Sequence, residues 1–242
     1  MKRTILILLL ALTPVVYAQN DSAAIRIVER YLGILNIDAL PHDSMLVINT
    51  TVTYPGTTDT FTMRRMYMWP LMFRMDVYDQ KGKRQNGLCT NGTTRFRSFD
   101  NKRKWWRDIT QATFYNLFAP YDFRGPLYNW QSQGVDLKYE GRADFRGQQL
   151  EVVKVSGPLV FTRHYMFEET GLLAVTLVSD TIETEDSLNV TSHMEWICQH
   201  EYQQIGATVL PSLESFSRDK RLTILHSEAV LKPKDTLIFN QD

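Results

Sequence analysis

The apolar positions change period once, early in the chain. Ile25, Val28, Tyr31, Leu32 and Leu35 recur at i, i+3, i+6, i+7 and i+10, one stripe of a helix over residues 22–36, with Arg26, Glu29 and Arg30 on the other side. Asp21 or Ser22 can cap that helix, and Gly33 weakens it slightly. Leu40-Pro41-His42-Asp43 breaks the pattern, and from Met45 onward the period becomes two. Residues 47–54, 60–69 and 71–78 are expected strands, β-branched and aromatic, divided by Pro55-Gly56 and Pro70. Asn91-Gly92 and Asp100-Asn101 mark hairpin turns on either side of 94–99, and a strand at 102–109 follows. A second run extends from 135 to 179 and from 190 to 228, with a short strand at 212–216 after Pro211. No long helix is available for parallel crossovers, so the expected class is mainly β (α+β), with about ten or eleven antiparallel strands. The absence of internal repeats and of a Pro/Ser-rich linker predicts one domain over residues 19–242.

The two strand runs are separated by a different texture. Residues 110–119 place Phe114, Leu117 and Phe118 on one face of a short helix that Pro120 ends. The next ten, 121–130, hold five aromatics or leucines with the breakers Gly125 and Pro126. An apolar helix and an apolar irregular segment in mid-sheet predict a cover for the sheet's concave face, as lid or plug. Ordinary packing of a connection is the plainer alternative. Ahead of all this, Lys2 and Arg3 precede an apolar run at 5–12, then Pro14 and Val16-Tyr17-Ala18, the pattern of an export signal cleaved after Ala18. Eight helical residues reach roughly 12 Å, well short of a ~30 Å hydrocarbon core, so a membrane anchor is not expected. No cysteine near the cleavage site offers lipid attachment, and no later segment approaches a spanning length.

Composition and charge narrow the functional classes. The 27 basic and 27 acidic residues cancel, and loss of Lys2 and Arg3 with the leader leaves a formal −2, the wrong balance for a nucleic-acid binder. Trp105-Trp106 among Lys102, Arg103, Lys104 and Arg107 is the one basic-aromatic patch; one tryptophan is expected to face inward, with the charges in solvent or against anionic lipid head groups. Two cysteines exclude a disulfide framework or a four-cysteine zinc site. In an exported chain Cys89 and Cys198 either bridge or stay as buried thiols on separate strands. Asn49, Asn91 and Asn189 head Asn-x-Ser/Thr sequons that matter only in a eukaryotic secretory host.

Candidate chemistry is sparse. His193 and Glu195 share a strand face, but His200 points the other way, so no metal site is expected. His164 has no partner at ligand spacing, and no nucleophile elbow, phosphate loop or His-Glu-x-x-His helix is present. Neither catalytic residues nor a cofactor are predicted. The methionines are unevenly placed: Met63, Met66, Met68, Met72 and Met75 alternate with Phe61, Tyr67, Trp69 and Phe73. Flexible, polarizable thioethers beside aromatic rings suit apolar partners of variable shape, though they also fill soft cores. Phe61, Met63, Met66, Met68, Phe73 and Met75, with Phe114, Leu117 and Phe118 from the central segment, are the candidate cavity lining.

Three segments resemble the LolA/LolB-type family of outer-membrane lipoprotein-sorting proteins, in its divergent Bacteroidetes-type branch. Tyr139-Glu140-Gly141, Gly147 and Leu150-Glu151-Val152-Val153-Lys154-Val155 resemble its glycine-separated hairpin. Phe167-Glu168-Glu169-Thr170-Gly171-Leu172-Leu173 is similar to its strand–turn–strand pattern. Glu201-Tyr202-Gln203-Gln204-Ile205-Gly206 with Leu210-Pro211 resembles its late tyrosine, glycine and proline pattern. The resemblance spans residues 22–238 and rests on turn signatures rather than catalytic motifs. It implies a single incomplete antiparallel barrel, plugged by helices, with an apolar cavity for acyl chains of a lipoprotein or lipid. It further implies a periplasmic carrier that is neither an enzyme nor an integral membrane protein, with a monomer favoured. An envelope protein-interaction or stress-sensor module on the same fold is the alternative, and a lipid- or glycan-directed hydrolase a more distant one.

Overall fold

The computed structural model describes residues 21–69, 71–118, 121–125, 127–157, 160–180, 193–218 and 221–239. The expected export signal and Asn189 lie outside them, as do the side chains of His193 and Glu195. Helix α1 (Ser22–Leu35) starts where the Asp21 carboxylate accepts the N–H of Ala23 at 2.8 Å. It ends at Asn36, which takes the left-handed conformation (φ 47°) and donates its N–H to Leu32. Its buried stripe is Ala24, Ile27, Val28, Tyr31 and Leu35, with Ile25 and Leu32 at the margin. The core face is therefore turned slightly from the one the apolar spacing picks out.

Among the described residues thirteen strands follow, β1 (Ser44–Thr53), β2 (Thr60–Met68), β3 (Met72–Asp79), β4 (Arg84–Thr90), β5 (Phe96–Asp100) and β6 (Trp105–Asp108), then helix α2 (Gln111–Phe118), then β7 (Asp136–Phe145), β8 (Gln148–Gly157), β9 (Val160–Phe167), β10 (Leu173–Asp180), β11 (His193–Ile205), β12 (Thr208–Arg218) and β13 (Arg221–Pro233). They form one antiparallel sheet in the order β6-β5-β4-β3-β2-β1-β13-β12-β11-β10-β9-β8-β7, with β6 and β7 as free edges. The chain thus runs outward from β1 to one edge, crosses over through α2, and returns by consecutive hairpins from the other edge.

The strand count exceeds the expected ten or eleven for local reasons. Strand β4, RQNGLCT, shows no alternation at its polar start. Its Gly87 is required by packing, because a Cβ there would lie 2.6 Å from the Trp106 ring. Strand β12 does not begin after Pro211 but runs through it. Proline lacks the N–H that a central strand needs, and β12 joins β13 only from Leu213 onward. Gln203 on β11 fills the gap: its amide donates to Ser227 O and accepts the N–H of Ala229, both at 2.9 Å.

Register assigns every strand two faces. Ile48 pairs with Ala229 and Arg65, Leu225 with Glu214, Glu214 with Gln199, and Thr176 with both Ile197 and Tyr165. These positions share the face on which both helices pack. One apolar cluster there joins α1 to Leu137, Val153, Tyr165, Phe167, Leu127 and Trp130. A second joins Phe114 of α2 to Leu46, Ile48, Met63, Tyr67, Phe73, Met75 and Phe96. The outer face carries its own core beneath the C-terminal turn Thr236–Phe239. There buried Arg74 bonds Asp76 at 2.8 Å and Ile238 O at 2.7 Å, Arg84 reaches Asp76 at 2.9 Å, and the Cys89 thiol donates to Phe239 O at 3.1 Å. Trp106 is buried on this face with Arg74, Arg84 and Arg97 against its ring, while Trp105 is exposed.

Cys89 and Cys198 are both unpaired and buried, on β4 and β11 in separate clusters. Among the described residues no helix is long and apolar enough to cross a membrane.

Candidate ligand cavity

The β2–β3 hairpin delivers Tyr67, Trp69, Leu71 and Phe73 to one end of the helix-bearing face, beside the start of β1 and the end of β13. Above them lie α2 and residues 121–124. Between these layers is a space of about 100 Å³, walled by Leu40, Leu46, Tyr67, Phe73, Phe114, Phe118, Phe123 and Leu231. Asp38, His42, Asp122 and Arg124 supply the polar margin. A ligand site for a drug-sized molecule is typically about 300–1,000 Å³, so most of the volume over this end of the sheet is already occupied.

The occupants are aromatic side chains of the segment between the strand runs. Phe118 stands edge-on to Phe73 at 4.7 Å between centroids, Phe123 edge-on to Tyr67 at 4.6 Å, and Phe114 lies 5.4 Å from Phe96. Such pairs are worth about 0.5–1.5 kcal/mol each beyond the area they bury. The Tyr67 hydroxyl donates to the carbonyl of Tyr121, tying the segment to β2. Burial pushes that hydroxyl up to about 12, so it remains a donor at any physiological pH. Arg124 grips Asp122 through three contacts of 2.6–3.1 Å, and the Tyr128 hydroxyl reaches Asp38 at 2.8 Å. His42 stacks on Trp69 at 4.8 Å at the opening, where Trp69, Leu71 and Tyr115 are exposed.

Strand alternation divides the methionine wall. Met63, Phe73 and Met75 face the helices and pack in the cluster with Phe114; Phe118 packs against its margin. Met66 and Met68 face the other way, into the outer core with Cys89, Trp106 and Phe239, although Met68 also borders the opening. Phe61 is half-buried against Tyr54, away from the space, and Leu117 is 45% exposed. Of the nine candidates, Phe73, Phe114, Phe118 and Met68 line the space itself. Tyr67, on the same strand face as Met63, follows from alternation alone; Leu40, Leu231 and Phe123 come from distant segments that no local pattern links.

Among the described residues no three His, Cys, Asp or Glu side chains are grouped to hold a metal. His200 is exposed and bonds Ser215 at 2.7 Å, and His164 sits 3.2 Å from Glu140.

No protein-family model matches the sequence, and no curated protein is similar enough in sequence to match. Solved structures do match over most of the chain. The LolA superfamily protein NE2245 from Nitrosomonas europaea is similar with a TM-score of 0.58 at 10% identity, covering 90% of this chain and 98% of that one. A domain named for outer membrane lipoprotein sorting, from Vibrio parahaemolyticus, gives 0.52 at 8% identity, with coverage of 88% and 97%. A DUF1329 family protein from Desulfovibrio piger gives 0.51 at 8%, with 86% and 92%. The chain has the LolA-type fold.

Proposed function

We propose that this chain is a periplasmic, non-enzymatic carrier that shields acyl chains of a lipoprotein or lipid, with α2 and residues 121–130 acting as the lid of an incomplete barrel. The observation that supports it is the apolar space between that segment and the β2–β3 hairpin, covered by aromatic rings packed on Tyr67 and Phe73 and by the hydrogen bond from Tyr67 to the Tyr121 carbonyl. An acyl chain is longer than the space, so loading requires the Phe114, Phe118 and Phe123 rings to lift from Tyr67 and Phe73. Affinity then comes from apolar burial, about 0.8 kcal/mol per methylene. Lid opening is favoured when the chain binds the open state more tightly than the closed one. Met63 and Met75 would join the lining once the rings withdraw; Met66 would not. The lipoprotein-sorting name of the Vibrio protein is consistent with this reading.

The test is to extract protein isolated from the cell envelope for bound lipid, then titrate the delipidated chain with a fluorescent long-chain fatty acid. Saturable binding is expected, weakened in Phe118→Asp and unchanged in Met66→Leu. Absence of both co-purifying lipid and probe uptake refutes the carrier. A second reading, an envelope protein-interaction module, draws on the exposed Trp69, Leu71 and Tyr115 at the opening. A stable protein partner recovered without lipid decides for it.

A further inference from the structure

The margin of the apolar space under the lid segment is where its polar chemistry lies, in Asp38, His42, Asp122 and Arg124. Among the described residues that line the space, Arg124 alone carries a permanent positive charge. Both carboxylates are already met from within the chain, Asp38 by the Tyr128 hydroxyl at 2.8 Å and Asp122 by Arg124. The guanidinium keeps donors in reserve. It meets Asp122 side-on, with Nε at 2.8 and 3.1 Å from the two carboxylate oxygens and Nη2 at 2.6 Å from one of them. Of the five N–H groups of an arginine side chain, that contact takes the one on Nε and one on Nη2. Nη1 makes no hydrogen bond among the described residues. The second edge of the fork is therefore open, on a side chain that borders the space and is 22% exposed.

The fork is also held in place. Asp122 accepts the backbone N–H of Arg124 at 3.1 Å, and the guanidinium lies over the Tyr128 ring at 5.1 Å. Its place in the chain joins head to tail. Arg124 directly follows Phe123, whose ring closes on Tyr67, and lies three residues after Tyr121, whose carbonyl receives the Tyr67 hydroxyl. A group held by Arg124 thus sits where the rings part, and hydrocarbon attached to it enters among Leu40, Phe73, Phe118 and Leu231. A carboxylate or phosphate can take two parallel, charge-assisted hydrogen bonds from the open edge, whereas an alcohol takes one ordinary bond.

We infer that the open edge of Arg124 receives the anionic head of an amphiphile, a carboxylate or phosphate, while its tail fills the apolar space. Asp122, on the other edge of the same guanidinium, limits the affinity by repelling the head. The inference rests on the carrier reading for the tail and adds the class of head.

The test compares dodecanoate, dodecyl phosphate and dodecanol, three ligands with one tail, by displacement of a fluorescent probe from the delipidated chain. Both anions are expected to bind about tenfold tighter than the alcohol, the size of one hydrogen bond to a charged group. Arg124→Gln should bring that ratio to about one. Asp122→Asn keeps an acceptor for the turn but loses the repelling charge. It should raise the ratio about threefold, the repulsion of two charges about 6 Å apart in water-like surroundings. Each ratio is taken within one variant, so a general weakening of the lid cancels, and circular dichroism checks that each variant is folded. The opposite signs separate a head site from a tie that only shapes the turn, since breaking such a tie from either side would move the ratio alike. A ratio near one in the wild type, a ratio that survives Arg124→Gln, or the same fall in both variants overturns the head site, and saturable binding of all three ligands still leaves the carrier standing. Binding of none overturns both. Preference for only one of the two anions upholds the site and tells carboxylate from phosphate.

Discussion

Phe114 is the ring on which the arrangement over the cavity depends. It is 1% exposed, lies 5.4 Å from Phe96 and 6.3 Å from Phe73, and stacks on Phe118 at 5.8 Å. Helix α2 has eight residues, fewer than the ~12–15 an isolated helix needs to persist in water. Its helicity is therefore borrowed from packing, and among its described side chains Phe114 alone is fully buried. Phe114→Ala removes the transfer energy of the ring and leaves a hole beside an existing space, together worth about 3–5 kcal/mol. For a urea m-value of about 2 kcal/mol/M, the unfolding midpoint falls by about 2 M. Hydrogen exchange supplies the local measurement, with protection in residues 111–118 expected to collapse before the sheet is affected. If the ring only covers a binding site, an acyl ligand at about 100 times its Kd restores about 2.7 kcal/mol, because its tail fills the hole. A loss below about 1 kcal/mol with α2 still protected would refute the reasoning, since the helix would then stand without its anchor.

Three further outcomes follow from the polar and thiol groups. Asp76→Ala strands buried Arg74, and with it the clamp on Ile238; a loss of about 3–5 kcal/mol in urea unfolding is expected, most of it recovered when Arg74 is also made Met. Glu214 keeps its proton to higher pH in the folded chain than its ordinary value of 4.5, so the folded state binds more protons across that window and stability falls as pH rises through it. Glu214→Gln should accordingly raise the Tm at pH 7.5, with the gain vanishing below about pH 4.5; a constant difference across that range would contradict the assignment. The Cys89 thiol is pushed up to about 11 by burial, so iodoacetamide should leave both cysteines unmodified in the folded protein. Unfolding without reductant should then admit two labels by intact mass, whereas a bridge would admit none.

What was legible in the sequence divides along the range of the interaction. Helix α1 and its Asp21 cap are written in residues within one or two turns of each other, and the apolar segment between the strand runs announces itself by composition. The β2–β3 pair is equally plain from alternation, but a cluster of similar residues along a strand is not a cluster in space. Met63 and Met66 are three apart and so face opposite sides of the sheet; one packs beside Phe114 and the other beside Trp106. The methionine run marks a place where two cores meet back to back, and only one belongs to the cavity. Strand β4 escapes notice because its contribution is an absence, the missing Cβ at Gly87 that admits the Trp106 ring. Pro211 misleads for the converse reason. Its lost hydrogen bond is replaced by Gln203, a side chain on the neighbouring strand that no local pattern connects to it. The same applies to Arg65 and Glu214, distant in sequence, which share a face only because β13 pairs with β1.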